Sequence, residues 1–126
     1  MKEMKDLYQS ADWKAEKHVP VIEVEKKGEN YCVTVSVGKE IAHPNKVEHH
    51  IVWAELFLHP EGEKFPYLIG RFDFSAHGAS VEGPEKSTVY TEPVVTCVMK
   101  SGKKGTLIAG SYCNIHGLWT SSLELK

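Results

Sequence analysis

The sequence predicts an all-β fold, an antiparallel β-sandwich of about seven strands. Three observations carry that expectation. Apolar and polar residues alternate over short runs, as in Val21-Ile22-Glu23-Val24-Glu25 and Tyr31-Cys32-Val33-Thr34-Val35-Ser36-Val37, which is the pattern of strands buried on one face. β-branched and aromatic residues crowd the same runs. Turn residues separate them at short intervals, among them Lys26-Lys27-Gly28-Glu29-Asn30, Pro60-Glu61-Gly62 and Gly102-Lys103-Lys104-Gly105.

Residues 1 to 17 are polar and mixed, with Met4, Leu7 and Tyr8 at a spacing that allows one short helical turn. His18-Val19-Pro20 leads into the first strand, and Tyr31–Val37 is the second. Gly38 to Glu48 is expected to be a loop. Within it Pro44 biases His43 towards an extended backbone, so that the imidazole projects from the chain. His49 to Leu58 reads as a third strand, apolar on both parities and therefore covered on both faces. Phe65–Phe74 and Val89–Met99 are further strands, joined by a loop rich in Gly, Ser and Pro. Gly105–Tyr112 and Leu118–Leu125 complete the set and flank Cys113-Asn114-Ile115-His116-Gly117. Residues 1–126 are thus expected to form one immunoglobulin-like domain.

Bulk properties narrow the function. Hydrophobic residues at 41% and charged residues at 25% are those of a soluble globular protein. A formal net charge of −2 gives no basic surplus, so no nucleic-acid partner is expected. The charged N-terminus lacks the apolar run of a signal peptide, and nothing approaches the roughly 20 apolar residues of a membrane span. Three cysteines cannot all pair within the chain, which points to a cytoplasmic location. Seven histidines favour metal or proton chemistry.

Cys113 and His116 form a Cys-x-x-His pair at a turn, and a thiolate beside an imidazole suits a borderline-soft transition metal. Upstream donors are His18, His43 and one of His49 and His50, since neighbours on a regular strand point to opposite faces. His59 and His77 are read as structural, and Cys32 and Cys97 as packed thiols. Four imidazoles and one thiolate exceed a closed zinc tetrahedron, which favours two to four cysteines. A blue-copper electron carrier also lives in a β-sandwich, but Gly117-Leu118-Trp119-Thr120 offers no axial Met. A Cys–His nucleophile pair would leave three histidines unexplained. Iron, with one coordination position open, fits best.

Three motifs in order, Asp12-Trp13-Lys14-Ala15-Glu16-Lys17-His18-Val19-Pro20, His43-Pro44-Asn45 with Glu48-His49-His50-Ile51, and Ser111-Tyr112-Cys113-Asn114-Ile115-His116-Gly117, resemble those of short superoxide reductases (neelaredoxins). These are related to the iron domain of desulfoferrodoxin, and the resemblance runs from about Asp12 to Trp119. It implies one iron (Fe2+/Fe3+) per chain, held by His18, His43, His49, His116 and an axial Cys113, with segment 1–20 supplying a ligand loop. It implies Glu16 as the carboxylate of the sixth position in the oxidised form, and Lys17 as the group that attracts superoxide. The implied reaction is one-electron reduction of superoxide to hydrogen peroxide. Electrons would come from an external donor such as rubredoxin, and family members of this length are often homotetramers.

Overall fold

The computed structural model describes residues 1–126. After a four-residue turn of helix, α1 (Met4–Leu7), seven strands follow: β1 (Pro20–Lys27), β2 (Asn30–Val37), β3 (Ile51–Pro60), β4 (Tyr67–Asp73), β5 (Val94–Met99), β6 (Gly105–Cys113) and β7 (Gly117–Leu125). They form two antiparallel sheets, β1-β2-β5 and β4-β3-β6-β7. No helix is long and apolar enough to cross a membrane.

The alternating pattern decides which faces meet. In β2, Tyr31, Val33, Val35 and Val37 turn inward; in β3 the inward set is Ala54, Leu56 and Leu58. Leu107, Ala109 and Cys113 of β6 and Leu125 of β7 close the core from the second sheet. Leu56 and Leu107 are fully buried, each worth about 1.5–3 kcal/mol of transfer free energy.

β3 departs from expectation in two ways. It begins at Ile51, because Lys46 and His49 exchange backbone hydrogen bonds and hold His49 and His50 in a turn. Its outer face is half-buried rather than covered: Trp53 stacks on Tyr112 of β6, with the Arg71 guanidinium 4.6 Å from the Trp53 ring. A register shift between Ile51 and Trp53 explains why Ile51 is buried although its parity is that of the outer set. β5 is shorter than expected. Pro93 precedes it, and residues 76–78 pair instead with 89–91 in a small clip that includes the His77–Tyr90 bridge. Cys97 packs against the core from β5, while Cys32 is half-buried on the other face of that sheet.

Candidate metal centre

The antiparallel connections bring the end of β2, the start of β1 and β3, and the turn between β6 and β7 to one pole of the sandwich. Each donor is delivered by a local device. Gly117 has φ of +82°, the left-handed residue that closes a three-residue hairpin loop between Cys113 and Gly117. Inside that loop the His116 amide donates to Cys113 Sγ at 3.4 Å, so thiol and imidazole are drawn to one side. The loop is tied down from outside by Trp119 Nε1 and Gln9 Nε2, both donating to the His116 carbonyl at 3.2 Å.

His18 stands just before β1. The Ser111 hydroxyl of β6 donates to the His18 carbonyl at 3.3 Å, and the Ser121 hydroxyl of β7 donates to that of Pro20 at 2.5 Å. Trp119 stacks under the His18 ring at 4.9 Å with planes 13° apart. His43 follows Gly38, where φ is +84° and a Cβ would lie 2.6 Å from the His43 backbone nitrogen, so only glycine lets the loop close this tightly.

Four imidazoles form a closed ring. Centroids are 4.8 Å apart for His18–His43, His43–His49 and His18–His116, and 5.1 Å apart for His49–His116. A square of that side has its centre about 3.4 Å from each centroid, near the reach of an inward imidazole on a metal–nitrogen bond of about 2.1 Å. Cys113, fully buried, lies beside this ring, with Sγ 3.4 Å from His43 Nε2 and 3.9 Å from His116 Nδ1. Donor atoms of His18, His43, His49 and Cys113 all lie within 4.8 Å of one another. His116, more exposed, joins them through Nδ1, 3.1 Å from His18 Nε2.

The donor set fits a transition metal, and one observation argues for it strongly. His49 Nε2 is buried without any hydrogen-bond partner, a costly arrangement unless something else takes up its lone pair. The spacing of the donors can be set against two common coordination geometries. Neighbouring nitrogens at right angles on bonds of about 2.1 Å stand about 3.0 Å apart, against about 3.4 Å in a tetrahedron. The 3.1 Å between His18 and His116 nitrogens is the right-angle value.

Outer partners set the tautomers. His18 Nδ1 donates to Glu16 Oε1 at 2.5 Å and His43 Nδ1 to the Pro44 carbonyl at 2.7 Å, freeing both Nε2 atoms for a metal. Burial, then repulsion from His18, His49 and Lys17, pushes His43 down to about 4, against a hydrogen bond to Pro44 that pulls it up. His49 is lowered too, by burial first and then by His116, His18 and Lys17. Burial raises Glu16, but its hydrogen bonds to His18 outweigh that and hold the carboxyl below its usual range. The imidazoles of His43 and His49 are therefore kept neutral, as ligation requires.

Glu16 thus stands behind His18, accepting also from the His18 amide at 2.9 Å, and is not among the clustered donors. Lys17 is half-buried, close enough to perturb both His43 and His49. His49 points into the group, and His50 turns away to stack on His77 at 3.5 Å. Sequence reasoning gave His77 no partner; its ring is buried between Asn45 and the Phe74 carbonyl. It also missed Trp119 under His18 and Asn114, whose side chain accepts from the His50 amide and donates to the Glu48 carbonyl. An amide inside a Cys-x-x-His turn was the available signal.

Comparison with known proteins gives the chain its relatives. The sequence profile of the family described as Desulfoferrodoxin matches residues 10–122. The superoxide reductase of Pyrococcus furiosus is 58% identical over 121 residues, covering 96% of this chain and 98% of the relative. The neelaredoxin of Megalodesulfovibrio gigas is 52% identical over 122 residues, covering 94% of each. The solved structure of the reduced superoxide reductase (neelaredoxin) from Archaeoglobus fulgidus superposes with a TM-score of 0.93 at 60% identity, covering 95% of this chain and 98% of that one.

Proposed function

The chain belongs to the desulfoferrodoxin family, and from that membership and the donor set we propose that it is a superoxide reductase. The observation that carries the reading is the closed ring of four imidazoles beside one buried thiolate, with the buried His49 Nε2 left without a partner. We read residues 1–126 as one sandwich domain in which segment 1–20 delivers His18. In this reading His18, His43 and His49 bind iron through Nε2, His116 through Nδ1 and Cys113 through Sγ, one iron per chain. Iron held there would supply a one-electron change between its ferrous and ferric states and an open sixth position, tuned by the thiolate.

The chain's own residues do the rest. Four neutral imidazoles and a single thiolate would leave a ferrous ion held among them with net positive charge, which would favour an anion. Lys17, next in sequence to His18 and close enough to perturb His43 and His49, adds the charge of its ammonium to that attraction. The Glu16 carboxylate fixes the His18 tautomer. Its proposed place at the sixth position of the oxidised protein requires it to leave His18 Nδ1. Conversion of superoxide to hydrogen peroxide takes up one electron and two protons, so the electron comes from outside the chain. We propose a small iron protein of the rubredoxin kind as donor, a cytoplasmic setting in an anaerobe where the reaction detoxifies superoxide, and assembly as a homotetramer. The support for these is the family resemblance.

Iron analysis and pulse radiolysis test the reading together. The expected result is one iron per chain and second-order loss of superoxide that yields peroxide without oxygen, with azide binding to the centre. Stoichiometric zinc or copper in the native protein, or oxygen formed alongside peroxide, rejects it. A blue-copper-like carrier would bind no azide.

A further inference from the structure

The loop between β4 and β5, residues 74–93, carries three features the metal centre does not use. His77 is buried, and its ring nitrogens face two oxygens, to one of which a neutral ring donates: Nε2 lies 2.6 Å from the Phe74 carbonyl and Nδ1 lies 2.7 Å from Asn45 Oδ1. The Asn45 amide is fixed in that sense, because its Nδ2 donates to the Thr91 carbonyl at 3.0 Å. The face of the His77 ring carries the His50 imidazole, 3.5 Å away with planes 7° apart. Finally, Glu85 and Thr88 are the non-glycine residues with positive φ, at 58° and 62°. That conformation costs of order 1–2 kcal/mol each and persists only where surrounding contacts enforce it. The Glu85 carboxylate accepts from the Val47 amide at 2.8 Å.

The contacts made by His77 Nδ1, the His77 ring face, Thr91 and Glu85 land on one short segment. Asn45 is two residues after His43, Val47 is two before His49, and His50 directly follows it. His77 touches that segment near both of its donors. The clip beneath it, with Thr91 bonded to Ala76 through both amide and hydroxyl and the Gly78 amide to the Val89 carbonyl, holds the ring inward. Nothing else in the 43–50 segment is in regular secondary structure, so its shape has to come from outside.

We propose that His77 is a positioning residue for the metal centre: the 74–93 loop is a brace that sets the His43–His49 spacing before metal arrives. The inference rests on the metal reading above. Neither bonding nor stacking reaches a donor directly, so the effect is on geometry. Partners bonded directly to a ligand are worth about 10–100-fold in metal affinity, and a brace one contact further out should fall at or below the low end.

The test titrates the metal-free protein with Co2+ against a competing chelator and follows the thiolate-to-cobalt absorption. Wild type is expected to take up one Co2+ per chain. His77→Phe, which keeps the ring and loses its polar contacts, is expected to bind about tenfold more weakly with a shifted band. In the metal-free state, amide exchange at Val47 and His50 should quicken. Asn45→Ala releases one of the two attachment points and should show a smaller loss. The double variant should be little worse than His77→Phe alone, because both act through one contact. Leu107→Ala serves as the control: it lowers stability and should leave Co2+ affinity within about twofold. Should His77→Phe not fold, the half-exposed Asn45→Ala decides. Wild-type affinity, spectrum and amide exchange in His77→Phe and Asn45→Ala would overturn the brace while leaving the metal reading intact. Failure of wild type to bind any Co2+ would overturn both.

Discussion

Acid should loosen the metal-free protein, and the magnitude follows from His43. Its imidazole is 9% exposed and held at about 4, against 6.5 for the free group. Burial is the leading cause, so the shift describes a neutral ring that folding shelters from protons. The sign follows directly. Between pH 6.5 and about 4 the unfolded chain binds a proton that the folded chain refuses, so stability falls as pH falls through that window and is whole above it. At pH 5 the difference is about 2 kcal/mol, and it approaches about 3 kcal/mol below pH 4. For a domain that unfolds at 5–15 kcal/mol this is a large fraction. Urea unfolding of metal-free protein at pH 7.5 and pH 5 measures it, with the denaturant slope confirming that both transitions are two-state. His43→Gln, which cannot titrate, should remove most of the difference. His49 shifts in the same direction and sharpens the slope. Equal stability at the two pH values, or a slope unchanged in His43→Gln, would refute the reasoning. Bound metal should abolish the effect, since ligation holds the imidazoles neutral.

Further expectations follow from single side chains. Cys113→Ser should remove the visible thiolate-to-iron band of the oxidised protein, which absorption spectroscopy reads directly; a surviving band means that another group faces the metal. His49→Ala should lose metal, because the one buried imidazole nitrogen without a partner disappears, whereas His50→Ala should keep stoichiometric metal with a modest loss of affinity; metal analysis and competition titration separate the two. Lys17→Ala should slow the second-order reaction with superoxide about tenfold, or roughly 1.4 kcal/mol, and flatten its salt dependence with iron content unchanged. An equal rate at two ionic strengths would make Lys17 an ordinary surface lysine. Leu107→Ala, fully buried between the sheets, should cost about 2–5 kcal/mol of stability in thermal or urea melts.

The sandwich was legible because its strands obey period-2 burial almost residue by residue, as β2 does with Val33 and Val35 in and Thr34 out. What the pattern could not give was where a strand ends for reasons outside it. β3 starts two residues late because a backbone turn at Lys46–His49 captures both histidines, and nothing in the apolar run records that. The parity argument therefore separated His49 from His50 through a strand that is not there, and only the family resemblance chose His49: the rings part because one is drawn inward and the other is stacked on His77. The same blindness hid His77. Its partners are 32 and 27 residues away in Asn45 and His50, and no local signal joins them. The donor residues themselves stood out, because a thiol and several histidines in fixed motifs have few bland uses; their ordering around one point is a tertiary fact.

That ordering carries a physical cost which explains the rest of the pole. A buried His49 Nε2 without a partner gains nothing from its neighbours, and one 3.1 Å contact between His18 Nε2 and His116 Nδ1 does not gather five donors. Something rigid must hold them together until a cation repays the arrangement. The sheets provide it for Cys113, which is the last residue of β6, and nearly so for His18, pinned by Ser111 and Ser121. His116 is held by a hairpin three residues long. His43 and His49 have neither strand nor hairpin, only a loop. It is there that the structure places its strained backbone, its stacked histidines and its buried ring facing two oxygens. The distribution of strain follows the distribution of need: where regular structure fixes a donor there is none, and where it does not, the 74–93 loop adds stiffness to what Asn114 of the β6–β7 hairpin gives through its bonds to Glu48 and His50.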